Sequence, residues 1–256
     1  MASVHDQHLL AVETSSGHGS IALVCYREKD GTGVSELLEQ ADLSAERTGT
    51  ALHDEIASLL GRHHLSTADM AGYAVSIGPG SFTAIRVGAA AVKGFAEVHG
   101  KPVVAVSTLE LIARAAEELP DSDDSAAATP VVWVPILDAR RAQVFGAIYE
   151  RAGEQMKLVG AETVGSLREL LDRCRSLPVA SGNNMPRICS PEIGQWADAI
   201  TAAGFPGSSL VATPNCMANT LARLGIDRLR RGGGVDAAAV DANYVRASDA
   251  ELFRSI

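Results

Sequence analysis

IGPGSFTAIRVGAAAVKGFAEV, Ile77 to Val98, is the stretch whose reading decides the fold. An apolar run from Gly72 to Ile77 leads into it and reads as a strand. Gly78, Pro79 and Gly80 force a turn, and Ser81 or Thr83 can cap the helix that follows to about Val98. Beyond the helix, Lys101 to Val106 (KPVVAV) is a second strand, so the unit is strand, helix, strand. The charged residues of that helix, Arg86, Lys93 and Glu97, lie within about 40° of one another at about 100° per residue. A surface helix needs a wider polar arc, so this one is expected to be covered on two sides, by its own sheet and by something else, either a partner or, with complete burial, the rest of its own lobe. Ala84, Gly88, Ala91 and Gly94 are read as the small row that lets a neighbouring helix approach.

Working outward, Leu9 to Ser15 (LAVETSS) and Ser20 to Cys25 (SIALVC) flank a Gly17-His18 turn and read as a hairpin, with a third strand at Val34 to Leu43. Leu52, Ile56, Leu59, Leu60 and His63 recur with helical spacing and predict a helix over Ala51 to His64. Ser107 and Glu110 have capping-box spacing for a helix through Leu119. An acidic, small-residue linker follows from Pro120 to Pro130.

After the linker the pattern restarts. VVWVPILDAR is a strand ending in an acid and a turn, and RAQVFGAIYER is its hairpin mate. Glu13 and Asp138 thus occupy corresponding strand ends. A strand near Glu154 to Val164, a helix from Ser166 to Cys174, a strand at Pro178 to Ser181, a helix near Pro191 to Ala203, a strand near Ser209 to Ala212 and a helix from Met217 to Arg231 complete it. Gly232, Gly233 and Gly234 end that helix, and the tail to Ile256 is expected to be a loosely packed extension. Two β-rich α/β lobes are the natural summary.

A chain of 256 residues, 46% hydrophobic and 21% charged, can bury a sizeable core and is not expected to be disordered. No secretory leader and no membrane-spanning run is evident, so a cytoplasmic protein without a membrane role is expected. A net charge of −9 and a pI near 5.2 repel polyanions, so any nucleic acid should be held mainly by a partner. Cys25, Cys174, Cys189 and Cys216 lack paired spacing and read as reduced packing residues.

No complete catalytic or metal motif emerges. The helix after Gly80 offers unpaired N–H groups that suit a phosphate or carboxylate, but the P-loop spacing is absent and a plain tight turn is the better reading. His53 would need a second ligand four residues on, where Ala57 stands. His63 and His64 point apart and are read as complementing the helix C-terminus, as are Arg228, Arg230 and Arg231 for the last helix. No G-x-S-x-G elbow occurs.

LAVETSS, GYAVSIGPGSFTAIRVGAAAVKGFA, PVVAVSTLELIA, DARRAQVF and the tail YVRASDAE together resemble the bacterial TsaB (YeaZ) family. The resemblance covers about residues 9–119 well and the second half only through DAR and the tail. It implies an α/β, actin-like ASKHA (RNase H-like) fold of two lobes, each a mixed β-sheet flanked by helices. The lobes would be residues 1–106, which the helix 217–231 can complete, and 107–216, followed by a tail at 232–256. The resemblance further implies a non-catalytic subunit, required for N6-threonylcarbamoylation of the adenosine next to the tRNA anticodon, that dimerises with a catalytic TsaD-like paralogue. That relative's metal-binding His-x-x-x-His pair is broken here at Ala57. The partner contact falls at or near His53, Ser81, Thr83, Arg86 and Lys93. A TsaE-like ATPase is the further partner, a homodimer can form through the same surface, and a nucleotide (ATP or ADP) can sit at the subunit joint, with Glu13 and Asp138 as weak candidates to hold it.

Two other readings stay open at this stage. An autonomous actin-like ATPase or small-molecule kinase would use Glu13 and Asp138 near a metal-bound phosphate, although TSSGHGS and ARRAQ are poor in glycine for wrapping phosphates. A metallopeptidase lacks the ligand spacing.

Overall fold

The computed structural model describes residues 6–16, 18–29, 32–43, 48–120, 131–153, 155–177, 185–243 and 245. The linker segment 121–130, the strand expected at Pro178 to Ser181 and most of YVRASDAE lie outside them. The chain divides into two compact units, Met1–Thr108 with Asn215–Asn243, and Leu109–Pro214 with Tyr244–Ile256.

In the first unit, β1 (Gln7–Glu13), β2 (Gly19–Lys29) and β3 (Thr32–Leu43) form an antiparallel meander, while β4 (Met70–Ser76) and β5 (Val103–Val106) add parallel strands on the other edge of β1, giving the order β3-β2-β1-β4-β5. Successive strand residues face opposite sides. Leu10, Val12, Ile21, Leu23 and Val75 pack with Leu52, Ile56 and Leu59 of α1 (Thr48–Arg62) and Val92 and Ala96 of α2 (Phe82–His99). Each such fully buried Leu or Ile contributes about 1.5–3 kcal/mol. The other face takes α6 (Ala218–Arg230), whose Gly225 sits so close that an added Cβ would stand 2.7 Å from the Cβ of Ala74.

The first part of the tail is not loosely packed. Val235 and Val103 exchange two backbone hydrogen bonds of 2.9 Å, Ala237 and Val240 are buried in the core, and Asn243 N–H donates to Ile77 O at 2.7 Å. This segment has apolar residues where it meets α2, and its own strand-like bond to β5 holds it there. It is therefore part of the second cover that the under-charged α2 required.

In the second unit, β6 (Val131–Asp138) is central. It pairs parallel with β11 (Arg187–Ser190) on one edge and antiparallel with both β7 (Val144–Gly146) and β8 (Tyr149–Ala152) on the other. The mate expected as one strand is split between Gly146 and Tyr149, opposite Val134 and Pro135. Proline has no N–H to donate, so the ladder lapses there and resumes in the same register. β9 (Gln155–Leu158) pairs with β8 and β10 (Thr163–Gly165) with β7, so the single strand expected near Glu154 to Val164 is two. β12 (Leu210–Ala212) extends the parallel edge beside β11. α4 (Leu167–Arg175), opened by a Ser166–Glu169 capping box, buries Leu170, Leu171 and Cys174 against Val132, Val134 and Ile136. α3 (Thr108–Glu117) and α5 (Ala197–Ala202) complete the helices. Two mixed sheets flanked by helices give the expected actin-like, RNase H-like class. No helix among the described residues is long and apolar enough to cross a membrane.

Candidate functional site

The turn between β4 and α2 is fastened from three directions. Ile77 N–H donates to Val106 O (2.9 Å), Thr108 N–H to Gly78 O (2.9 Å) and Ser81 N–H to Ser15 O (3.1 Å). Gly80 is required, because a Cβ there would stand 2.1 Å from Ser15 O. Gly78 adopts φ 98°, a region that disfavours side chains. The turn is thus a junction that positions α2.

Glu13 ends β1 beneath this turn and is fully buried. Its Oε1 accepts from Ser15 N–H (2.7 Å), Ser15 Oγ (2.6 Å), Ser16 N–H (3.1 Å) and Ser76 Oγ (3.3 Å), and its Oε2 accepts from Ser16 Oγ (2.6 Å). TSS supplies the donors that a buried carboxylate demands. Next to it, Thr14 Oγ1 donates to Ala84 O (2.8 Å), and Gly88 leaves the room for that hydroxyl.

In the other unit, Asp138 ends β6 half-buried, and its Oδ1 accepts from Arg140 N–H at 2.8 Å. Arg140, Arg141 and Ala142 all have positive φ (63°, 55° and 57°). Three successive non-glycine residues in that region are costly. The turn is closed by Ala139 N–H to Gln143 O and Gln143 N–H to Arg140 O, both 3.0 Å.

The outer surface of α1 and α2 is of a different kind. On α2, Ser81, Phe82, Thr83, Arg86, Ala90, Gly94, Glu97 and Val98 are exposed, with Phe82 at 42% and Val98 at 77%. The Arg86 guanidinium lies 3.7 Å from the centroid of the Phe82 ring, a cation–π contact. On α1, His53, Ala57 and Gly61 form an exposed row at four-residue spacing, and the His53 ring meets Phe95 edge-on at 5.7 Å. Among the described residues, a Cβ added at Gly61 or Gly94 would meet nothing within 4 Å. Low side chains on both helices permit the close end of helix–helix packing distances. Of the sequence-predicted contact residues, His53, Ser81, Thr83 and Arg86 lie on this surface. Lys93 is half-buried and donates from Nζ to Val240 O at 2.8 Å. The small row also differs from expectation: Gly88 and Ala91 face inward, and Ala90 and Gly94 are the small residues that point out.

His63 does not serve the end of α1. Its Nε2 lies 2.9 Å from Glu39 Oε2, and Glu39 also takes Arg62, whose guanidinium holds the carboxyl below its ordinary range. His64 adopts φ 57° as the helix ends. Arg230 stacks 3.6 Å above the Tyr26 ring. Cys174 and Cys189 are packing residues, and burial pushes the Cys174 thiol up to about 12. Cys25, by contrast, meets Asp6 and His8 at the open end of the first hairpin, a group that the reading of cysteine spacing missed. Cross-strand register is the signal that finds it, since His8 lies opposite Cys25.

The family model of TsaD, tRNA N6-adenosine threonylcarbamoyltransferase, matches residues 37–239. The tRNA threonylcarbamoyladenosine biosynthesis protein TsaB of Haemophilus influenzae is 35% identical over 138 residues, 54% of this chain and 51% of that protein. Its counterpart in Bacillus subtilis is 29% identical over 143 residues, covering 56% and 55%. The chain spans about half the length of the curated relatives it matches. The solved structure of YeaZ from Pseudomonas aeruginosa superposes with a TM-score of 0.67 over 93% of this chain and 99% of that one, at 22% identity.

Proposed function

The chain belongs to the family that the tRNA N6-adenosine threonylcarbamoyltransferase (TsaD) model describes, as a TsaB/YeaZ member of it, and from that premise we propose a non-catalytic subunit for threonylcarbamoylation of the adenosine next to the tRNA anticodon. It acts by dimerising with a TsaD-like catalytic paralogue through the outer surface of α1 and α2. The observation that carries this reading is the set of exposed small residues on the two helices, Ala57 and Gly61 on α1 and Ala90 and Gly94 on α2, with Phe82 and Val98 also exposed on α2. An exposed aromatic beside an arginine is typical of a protein-binding patch, and low side chains let a partner helix come close. In the absence of the paralogue, a second copy of the chain can occupy the same surface.

The inactivity expected of the isolated chain rests on two features. Ala57 stands where a second imidazole would complete a metal pair with His53. Glu13 is buried with its carboxylate engaged by local donors, which argues against a free acid for nucleotide chemistry. ATP or ADP is then a ligand of the complex, brought together with a TsaE-like ATPase, and tRNA binds mainly through the partners because this chain is strongly acidic.

Reconstitution tests the reading. The chain alone should transfer no threonylcarbamoyl group, and adding it to the TsaD-like paralogue and the TsaE-like ATPase should raise transfer above that of those two proteins. Arg86→Glu should weaken this stimulation. Transfer independent of the chain would refute the proposal.

A further inference from the structure

Strand pairing in the first hairpin brings three side chains of different ligand chemistry to one spot. His8 of β1 lies directly opposite Cys25 of β2. Asp6 precedes His8 by two residues, which puts it on the same side of the ribbon. One ligand atom from each, a carboxylate oxygen, an imidazole nitrogen and the thiol sulfur, all lie within 4.8 Å of one another. Burial is graded across the group: Cys25 is buried, His8 half-buried and Asp6 exposed. The sulfur is thus held by the sheet while the carboxylate side faces solvent.

We propose that Asp6, His8 and Cys25 form a binding site for zinc or a zinc-like divalent transition metal, with the fourth position taken by water. The donor set selects this class. Calcium and magnesium take oxygen ligands, whereas zinc accepts sulfur, nitrogen and oxygen together. Tetrahedral bonds of about 2.0–2.3 Å set donor separations of about 3.3–3.8 Å, so closing the group takes a movement of about 1 Å, which the exposed Asp6 side chain can supply.

The surroundings orient the carboxylate. Arg27 Nε donates to Asp6 Oδ2 at 3.0 Å, and Arg27 Nη1 is itself held by Glu36 Oε2 at 2.8 Å across the β2–β3 pair. Such outer partners fix the aim of a metal-binding carboxylate. Arg27 also brings a positive charge toward the ion, and Glu36 offsets it. The competing account is a hydrogen-bonded cluster without metal affinity. The site is separate from α1 and α2, so it stands or falls independently of the proposed role in transfer.

The test is a zinc titration of the metal-free full chain against a chromophoric chelator of micromolar affinity. It is run in parallel with Cys25→Ser, His8→Gln and Arg27→Gln, each checked for folding by circular dichroism. One zinc per chain is expected. The two ligand substitutions should weaken binding by about 100-fold or more, and Arg27→Gln by about 10-fold. Cobalt(II) should give a thiolate-to-metal absorption band that Cys25→Ser abolishes. Failure to take zinc from the chelator would overturn the proposal, as would equal affinity in wild type and His8→Gln. The latter result holds even if Cys25→Ser does not fold, since His8 is only half-buried.

Discussion

Gly88 and Gly94 sit on the same helix, six residues apart, and do opposite things. A Cβ at Gly88 would stand 2.4 Å from Thr14 Oγ1, whereas one at Gly94 would meet nothing within 4 Å. The inner face of α2 is small because the loop after β1 must press against it. The outer face is small although nothing among the described residues crowds it, which is what the proposed contact with another protein would use. Composition alone makes the two faces look alike; the side on which each glycine falls separates the packed face from the open one.

The comparison breaks if the inner side tolerates added atoms. Gly80→Ala, at the turn that feeds α2, should have the largest effect, about 3 kcal/mol or more of lost stability in urea unfolding, because the obstacle is the backbone oxygen of Ser15. Gly88→Ala should cost about 2 kcal/mol, since Thr14 must abandon its bond to Ala84 O. On the outer side the sign reverses. Gly94→Ala should stabilise the chain by about 0.5–1 kcal/mol through helix propensity alone. The smallest effect belongs to Glu39→Gln on the edge strand β3, which removes the partner of Arg62 and His63. The folded-state carboxyl is held below its ordinary 4.5, so its contribution is complete above that pH and disappears as the pH falls through the depressed value. Wild type and variant should therefore differ slightly in melting temperature at neutral pH and converge in acid.

Much of the first unit was legible in the sequence because its signals are local. Alternating runs around LAVETSS and SIALVC, the glycines of the GPG turn and the helical recurrence of Leu52, Ile56 and Leu59 each report the conformation of their own residues. The second unit was read less well, since its strands are short and Pro135 interrupts the ladder from across the sheet. ARRAQ hides its three positive-φ residues because glycine is the usual cue and none is present. Features made by distant partners were missed for a different reason. Val240 meeting Lys93, His63 meeting Glu39, and His8 meeting Cys25 depend on packing and register that no local pattern encodes. The under-charge of α2 is legible in the sequence, yet part of its explanation lies in residues 237–243 of the same chain.

The central claim is that the outer face of α1 and α2 is the surface through which the chain works. The most direct measurement is the mass in solution of wild type and Gly94→Arg, each mixed with the TsaD-like paralogue. Arginine at this open position should leave the fold intact, since no described neighbour is displaced. The account predicts a heterodimer for wild type and separate proteins for a folded Gly94→Arg. A heterodimer of equal strength with the variant would contradict it.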